Sequence, residues 1–181
     1  QRPNYTIKFP KVDAHHVGPP ESGAITETGE GAGEGRCLNI PLPPGSGSGA
    51  YRAAFEDIVL PALDSFEPEA IFIASGFDAS ALDPLGVMML SSEDFRWMAR
   101  QLLDVADRHC GGRVIATHEG GYSATYVPYC GLAVLEEMCG TSDPLTDPFH
   151  VHVANYGGQA LSNDQAAAIK RAGEAFFKKN G

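Results

Sequence analysis

The sequence is short of positive charge. Thirteen Lys and Arg stand against 23 Asp and Glu, a net charge of −10, and no cluster of Lys and Arg resembles the stripe that neutralises a phosphate backbone. This argues against direct nucleic-acid binding and favours cationic partners. Long apolar runs are also missing. None approaches the ~20 residues that span a bilayer, and no charged-then-apolar leader precedes the first polar residues, so no membrane role is expected. Only four cysteines occur, Cys37, Cys110, Cys130 and Cys139, with no Cys-x-x-Cys pair, so neither a zinc ribbon nor a disulfide framework is implied. They read as reduced core thiols of an intracellular protein, cytoplasmic or nuclear. The chain begins at Gln1 and not at Met, from which a fragment is expected. What remains is 181 residues of 43% apolar content, enough for one globular domain or a large part of one.

The densest apolar stretch is Ala70-Ile71-Phe72-Ile73-Ala74-Ser75. A continuous run rich in Ile and Phe, ended by Gly76, predicts a strand buried on both faces, as in a parallel sheet. The loop after it carries Asp78 and Asp83 at the strand's carboxyl end, where open α/β sheets place ligand sites. By itself, Asp83-Pro84 predicts only a turn. Ser91 or Ser92 then caps a helix whose first turn holds Glu93 and Asp94. Phe95, Met98, Leu102, Val105 and Ala106 follow at helical spacing, and Gly111-Gly112 ends it. A second buried strand, Arg113 to Thr117, runs into His118-Glu119-Gly120-Gly121-Tyr122. A right-handed crossover would set the two loops side by side, so Asp83 and Tyr122 are expected to face one cavity.

Elsewhere the signals are more ordinary. Residues 1–28 form an irregular amino-terminal segment, broken up by Pro3, Pro10, Pro19 and Pro20. Within it, Asp13 and His15 share a face on an extended segment and could share a metal; alternatively, His15-His16 lies in a connecting segment and binds nothing. Gly29-Glu30-Gly31-Ala32-Gly33-Glu34-Gly35 invites a nucleotide reading. It completes no Gly-x-Gly-x-x-Gly frame and leads into a strand, so a flexible loop near the site rim is expected. Cys37 to Leu42 predicts that strand, and Ala50 to Phe66 an amphipathic helix kinked at Pro61. Ser123 to Cys139 predicts a helix interrupted near Pro128. His150-Val151-His152 has metal-like spacing but no acid nearby in sequence, so it reads as a surface pair. Asn163 to Lys179 predicts a last helix with Ala167, Ile169, Ala172, Phe176 and Phe177 facing inward.

Several stretches together carry a family resemblance. Ser75-Gly76-Phe77-Asp78-Ala79 followed by Pro84-Leu85-Gly86, Gly29 to Pro44, Ala50-Tyr51 with Phe55-Glu56, and Gly112-Arg113 with Glu119-Gly120-Gly121-Tyr122 resemble, in order, the class II branch of the histone deacetylase and acetylpolyamine amidohydrolase family. The resemblance implies a three-layer α/β/α sandwich with a parallel sheet, of the histone deacetylase/arginase type. Residues 29–181 would be the carboxyl-terminal portion of such a domain.

It also implies an amidohydrolase that uses Zn2+ to remove acetyl groups from acetyl-lysine peptides, as a chromatin regulator, or from acetylated polyamines. Asp83 would be a zinc-ligand carboxylate and Tyr122 the hydrogen-bond donor to the developing oxyanion. Gly120 and Gly121 would let substrate approach, and Asp78 would orient the loop or a ligand. Asp13 and His15 would match the family's Asp-x-His-His-Gly ligand stretch, from which this chain departs where Val17 precedes Gly18. The family's Pro-Gly-His-His loop has no counterpart here, so the chain is expected to be a weak or inactive deacetylase. The alternative is a non-catalytic remnant acting as an interaction module.

Overall fold

Two short strands, β1 (Thr6–Lys8) and β2 (Cys37–Asn39), pair in parallel with Thr6 opposite Cys37 and Lys8 opposite Asn39. The structure is a computed structural model that describes residues 4–9 and 23–180. β1 lies in the segment expected to be loop. Its signal is the alternation in Tyr5-Thr6-Ile7-Lys8-Phe9, whose odd members pack against the core as a period of two requires. Tyr5 stacks on Phe66 with ring centroids 4.6 Å apart, and Phe9 stacks on Tyr51 at 5.0 Å. The glycine-rich loop before β2 holds a single 3-10 turn, Gly31–Gly33, with Gly29, Gly31 and Gly35 at positive φ.

The predicted helix over residues 50–66 is a rod of three parts: α1 (Ser48–Ala54), a π turn (Phe55–Val59) and α2 (Leu60–Phe66). Its buried residues are Ala50, Tyr51, Ala54, Phe55, Ile58, Val59 and Ala62, a spacing of four residues throughout. At 3.6 residues per turn, each such step would drift about 40° around an α-helix. The wider π turn takes up that drift and keeps the stripe on one face. The departure from α geometry thus precedes Pro61, at the start of α2, which has no N–H to bond back into the π turn. Glu67, at φ 54°, ends the rod.

β3 (Ile71–Ser75) and β4 (Val114–His118) pair in parallel, Ile71 opposite Val114 through Ser75 opposite His118, and α3 (Ser92–Cys110) connects them. The fold is therefore mixed α/β with parallel strands, as the sequence predicts. Ser91 caps α3, its backbone N–H donating to Asp94 Oδ2 at 2.8 Å, and Gly111 ends it at φ 59°. Ile71, Ile73 and Val114 pack against Val105, Ala106 and Cys110 of this helix. The opposite face differs from expectation. Phe72 is 74% exposed and its register partner Ile115 is 53% exposed, because α3 covers one side and no described element covers the other.

α4 (Val127–Cys139) begins one residue before Pro128, so this proline starts the helix and does not interrupt it. Arg96 of α3 bonds Glu136 of α4 at 2.7 Å, and Arg100 grips both oxygens of Glu137 at 2.7 and 2.9 Å. α5 (His150–Ala154) is one short turn. Buried Asp147, just before it, accepts from the Ser92 hydroxyl at 2.6 Å and the Tyr126 hydroxyl at 2.9 Å. That ties the start of α3 to α4. Burial, with Asp147 beside it, pushes the Tyr126 phenol well above its usual range.

α6 (Asn163–Asn180) returns along the rod. Ala168, Ile169, Ala172 and Phe176 are buried, so the inward face includes Ala168, while Ala167 and Phe177 face outward. The four cysteines are free, but only Cys110 and Cys130 are core thiols; Cys37 is half-buried and Cys139 exposed. Burial, followed by the nearby Asp147, pushes the Cys130 thiol up to about 12, which makes it unreactive. Among the described residues no helix is long and apolar enough to cross a membrane.

Candidate active site

The pairing of β3 with β4 brings two loops to one end of the sheet. Glu119 N donates to Ser75 O at 3.1 Å and Phe77 N to Gly120 O at 2.7 Å, so the strand ladder continues two steps into the loops. The Phe77 ring lies beneath them, 5.3 Å from Phe95 and 5.4 Å from His118. Gly121 sits at φ +129° over it, where an added Cβ would come within 2.9 Å of Val127 and 3.1 Å of Phe77. A side chain at this position would push the second loop off the first.

Asp83 is at the junction and is only 8% exposed. Its Oδ1 accepts from the backbone N–H groups of Leu85 and Gly86, both at 2.9 Å, which is the turn that Asp-Pro predicts from sequence. Its Oδ2 accepts from the backbone N–H of Tyr122 at 2.7 Å. The turn and the loop contact use different oxygens of one carboxylate. A carboxylate offers about four acceptor positions, so after these three bonds Oδ2 retains capacity for one more partner.

The flanking residues hold this carboxylate in place. Gly86 packs so close that a Cβ there would overlap the Asp78 carbonyl oxygen. Asp78 is itself buried, and a Cβ on Gly76 would lie 3.3 Å from Asp78 Oδ1 and 3.4 Å from Gly120 N. The Tyr122 side chain, by contrast, is 55% exposed. Asp83, Asp78, Gly120, Gly121 and Tyr122 therefore gather within one pair of loops. Gly76, Phe77 and Gly86, which lie in the stretches that carry the resemblance, belong with them as residues that fix the loops.

Asp13 and His15 lie outside the described residues. His150 and His152 fall on α5, where residues two apart point about 200° away from each other, so they do not form a pair. Among the described residues no group of three or more His, Cys, Asp or Glu is placed to hold a metal ion. Asp83 thus supplies one oxygen-donor residue among the described residues, where a catalytic zinc takes three protein ligands.

The histone deacetylase domain model matches residues 10–138. The histone deacetylase-like amidohydrolase of Pseudomonas aeruginosa is 52% identical over 139 residues, 76% of this chain and 37% of that protein. Histone deacetylase 8 of Arabidopsis thaliana is 39% identical over 130 residues, 71% of this chain and 34% of that one. The solved HDA15 HD domain superposes with a TM-score of 0.72 at 28% identity, covering 88% of this chain and 41% of that one. The histone deacetylase Clr3 gives 0.72 at 29% identity, covering 86% and 24%. The chain thus spans less than half the length of each of these relatives, and it belongs to the histone deacetylase domain family.

Proposed function

We propose that this chain carries part of the site of a zinc-dependent amidohydrolase acting on an acetyl-lysine peptide or an acetylated polyamine, and that alone it is weak or inactive. The observation that supports the reading is the 2.7 Å bond from the Tyr122 amide to Asp83 Oδ2. It puts a buried carboxylate and an exposed phenol at one loop junction. Asp83 would supply an anionic oxygen ligand, and the metal, where bound, would polarise the amide carbonyl. The Tyr122 hydroxyl would donate to the oxyanion as it develops. Gly120 and Gly121 would leave room for substrate, and Asp78 would back the Asp83 turn. The described donors do not by themselves complete a metal site. The open face of β3 and β4 supports a second reading, that the chain is an interaction module.

The test is a zinc-supplemented deacetylation assay with an acetyl-lysine peptide on the chain, Tyr122→Phe and Asp83→Ala. Without the tandem-His loop the rate should fall at least ~100-fold below that of a complete family member, the size of one acid–base contribution. Added zinc should not restore it. Both substitutions should remove the residual rate; a rate indifferent to them sinks the assigned roles. A full family-level rate would overturn the expectation of weakness.

A further inference from the structure

We propose that the groove between the rod and α6 is a binding site for an alkylammonium ion, a primary ammonium carried on an unbranched apolar chain. The groove encloses about 380 Å³, within the range of small-molecule sites. Ala53 and Ile58 of the rod line one side, and Ile169, Gly173 and Phe177 of α6 line the other. Ile58 and Ile169 also belong to the main core cluster, so the floor is fixed by packing that needs no occupant. The groove shares no residue with the Asp83–Tyr122 loop pair, and the proposal does not rest on the amidohydrolase reading.

Two features that helix stability does not favour face each other across this groove. On the rod, Asp57 and Ile58 come from the π turn, and such turns occur frequently at functional sites. On α6, Gly173 lies in the helix interior, where only proline is a poorer choice. Close packing does not demand the glycine: an added Cβ would meet Ile58 Cδ1 at 3.4 Å and Phe177 Cδ2 at 3.9 Å, which is van der Waals contact. A methyl there would instead take up space in the groove. The charges then fix the sign of the ligand. Lys170 also reaches the groove, but its ammonium pairs with Glu174 at 3.8 Å. Asp57 is exposed and has no ion-pair partner among the described residues, so the uncompensated charge at the mouth is a carboxylate. An ammonium with an apolar tail complements both the acid and the walls, whereas an anion would meet Asp57 and a lysine already engaged.

The experiment titrates the full isotope-labelled chain with hexylammonium chloride and, in parallel, with sodium hexanoate and with hexanol, at constant ionic strength, and follows backbone amide shifts. Hexylammonium should give saturable shifts in the π turn and around Gly173, with a Kd on the order of 1 mM, as suits a ligand of so few heavy atoms. Hexanoate should bind at least ~3-fold more weakly. Asp57→Asn should weaken hexylammonium about 3-fold, the worth of an exposed ion pair, and leave hexanol unchanged. Because Asp57 is exposed, this variant tests the charge without disturbing the core. Gly173→Ala should weaken hexylammonium and hexanol alike by at least ~5-fold, as for volume added to a packed site, while its melting temperature does not fall. Absence of saturable shifts overturns the proposal, as do shifts centred elsewhere and binding that Gly173→Ala leaves unchanged. Hexanoate binding as tight as that of hexylammonium, or hexylammonium binding indifferent to Asp57→Asn, overturns it as well, since the ligand is then not selected as a cation.

Discussion

The two parallel strand pairs are covered in opposite measure to their hydrophobicity. β1 and β2 are three residues each and carry Thr, Lys, Cys and Asn, yet Leu38 and Asn39 are buried, and Ile40 just beyond is fully enclosed. β3 and β4 are five residues each and richer in Ile, Phe and Val, yet half their side chains meet solvent. The short pair lies in the main cluster with Tyr51, Phe55, Ile58, Ile169 and Phe176, contributed by the rod and α6. The long pair has only the small cluster on α3. Burial of a strand is decided by what the rest of the chain can lay over it.

The sharpest test compares truncations in the two regions. Ile58→Ala, in the main cluster at 2% exposure, should cost about 2–5 kcal/mol, whereas Phe72→Ala should stay within about 0.5 kcal/mol of wild type. Urea unfolding measures both. An equal cost for Phe72→Ala would mean that its face is covered in the isolated chain.

A smaller effect is expected where the two loops meet. Asp83→Ala leaves the N–H groups of Leu85, Gly86 and Tyr122 without their acceptor. Amide exchange at Tyr122 should then quicken at least ~10-fold, corresponding to about 1.4 kcal/mol of local opening. Exchange in β2 should not change. If exchange quickens throughout β2 as well, the two regions are one cooperative unit.

The smallest effect lies on the α3–α4 clasp. The Leu145 N–H, at 2.8 Å, and then Arg96 hold the Glu136 carboxyl below its ordinary value of 4.5. A depressed folded pKa gives stability that is present above the unfolded value and lost as pH falls through the folded one. Tm should therefore be level near neutrality and decline below about pH 4.5. The acid decline should be shallower in Glu136→Gln, read by thermal scans across that range.

Much of this was legible in sequence where one residue type had one job. Ser91, Glu93, Asp94 and Gly111 punctuate α3, and the Ile-Phe-Ile and Val-Ile-Ala runs mark β3 and β4. Their parallel pairing then brings Asp83 and Tyr122 together without further information. The features missed depend on partners distant in sequence. Phe72 and Ile115 look like core because hydrophobicity records what a strand can bury, not what is there to bury it. Asp147 gives no local hint, since Ser92 and Tyr126 lie 55 and 21 residues away. β1 hides among prolines because a three-residue strand has too short an alternation to outweigh them.

The π turn in the rod has a consequence for chain length. Such a turn is how a helix stores one residue beyond its α count. Removing one of the exposed pair Glu56 and Asp57 would let Phe55–Val59 relax to α geometry with both ends of the rod in place. The spacing through Ala50, Ala54, Ile58 and Ala62 would change from four, four and four to four, three and four, which matches the α repeat. In the rod, then, a single-codon deletion would leave the apolar stripe aligned, seen as a smaller shift of the melting curve than the same deletion causes in α3. In α3, whose stripe already follows the α repeat, the same deletion would turn everything downstream by about 100°.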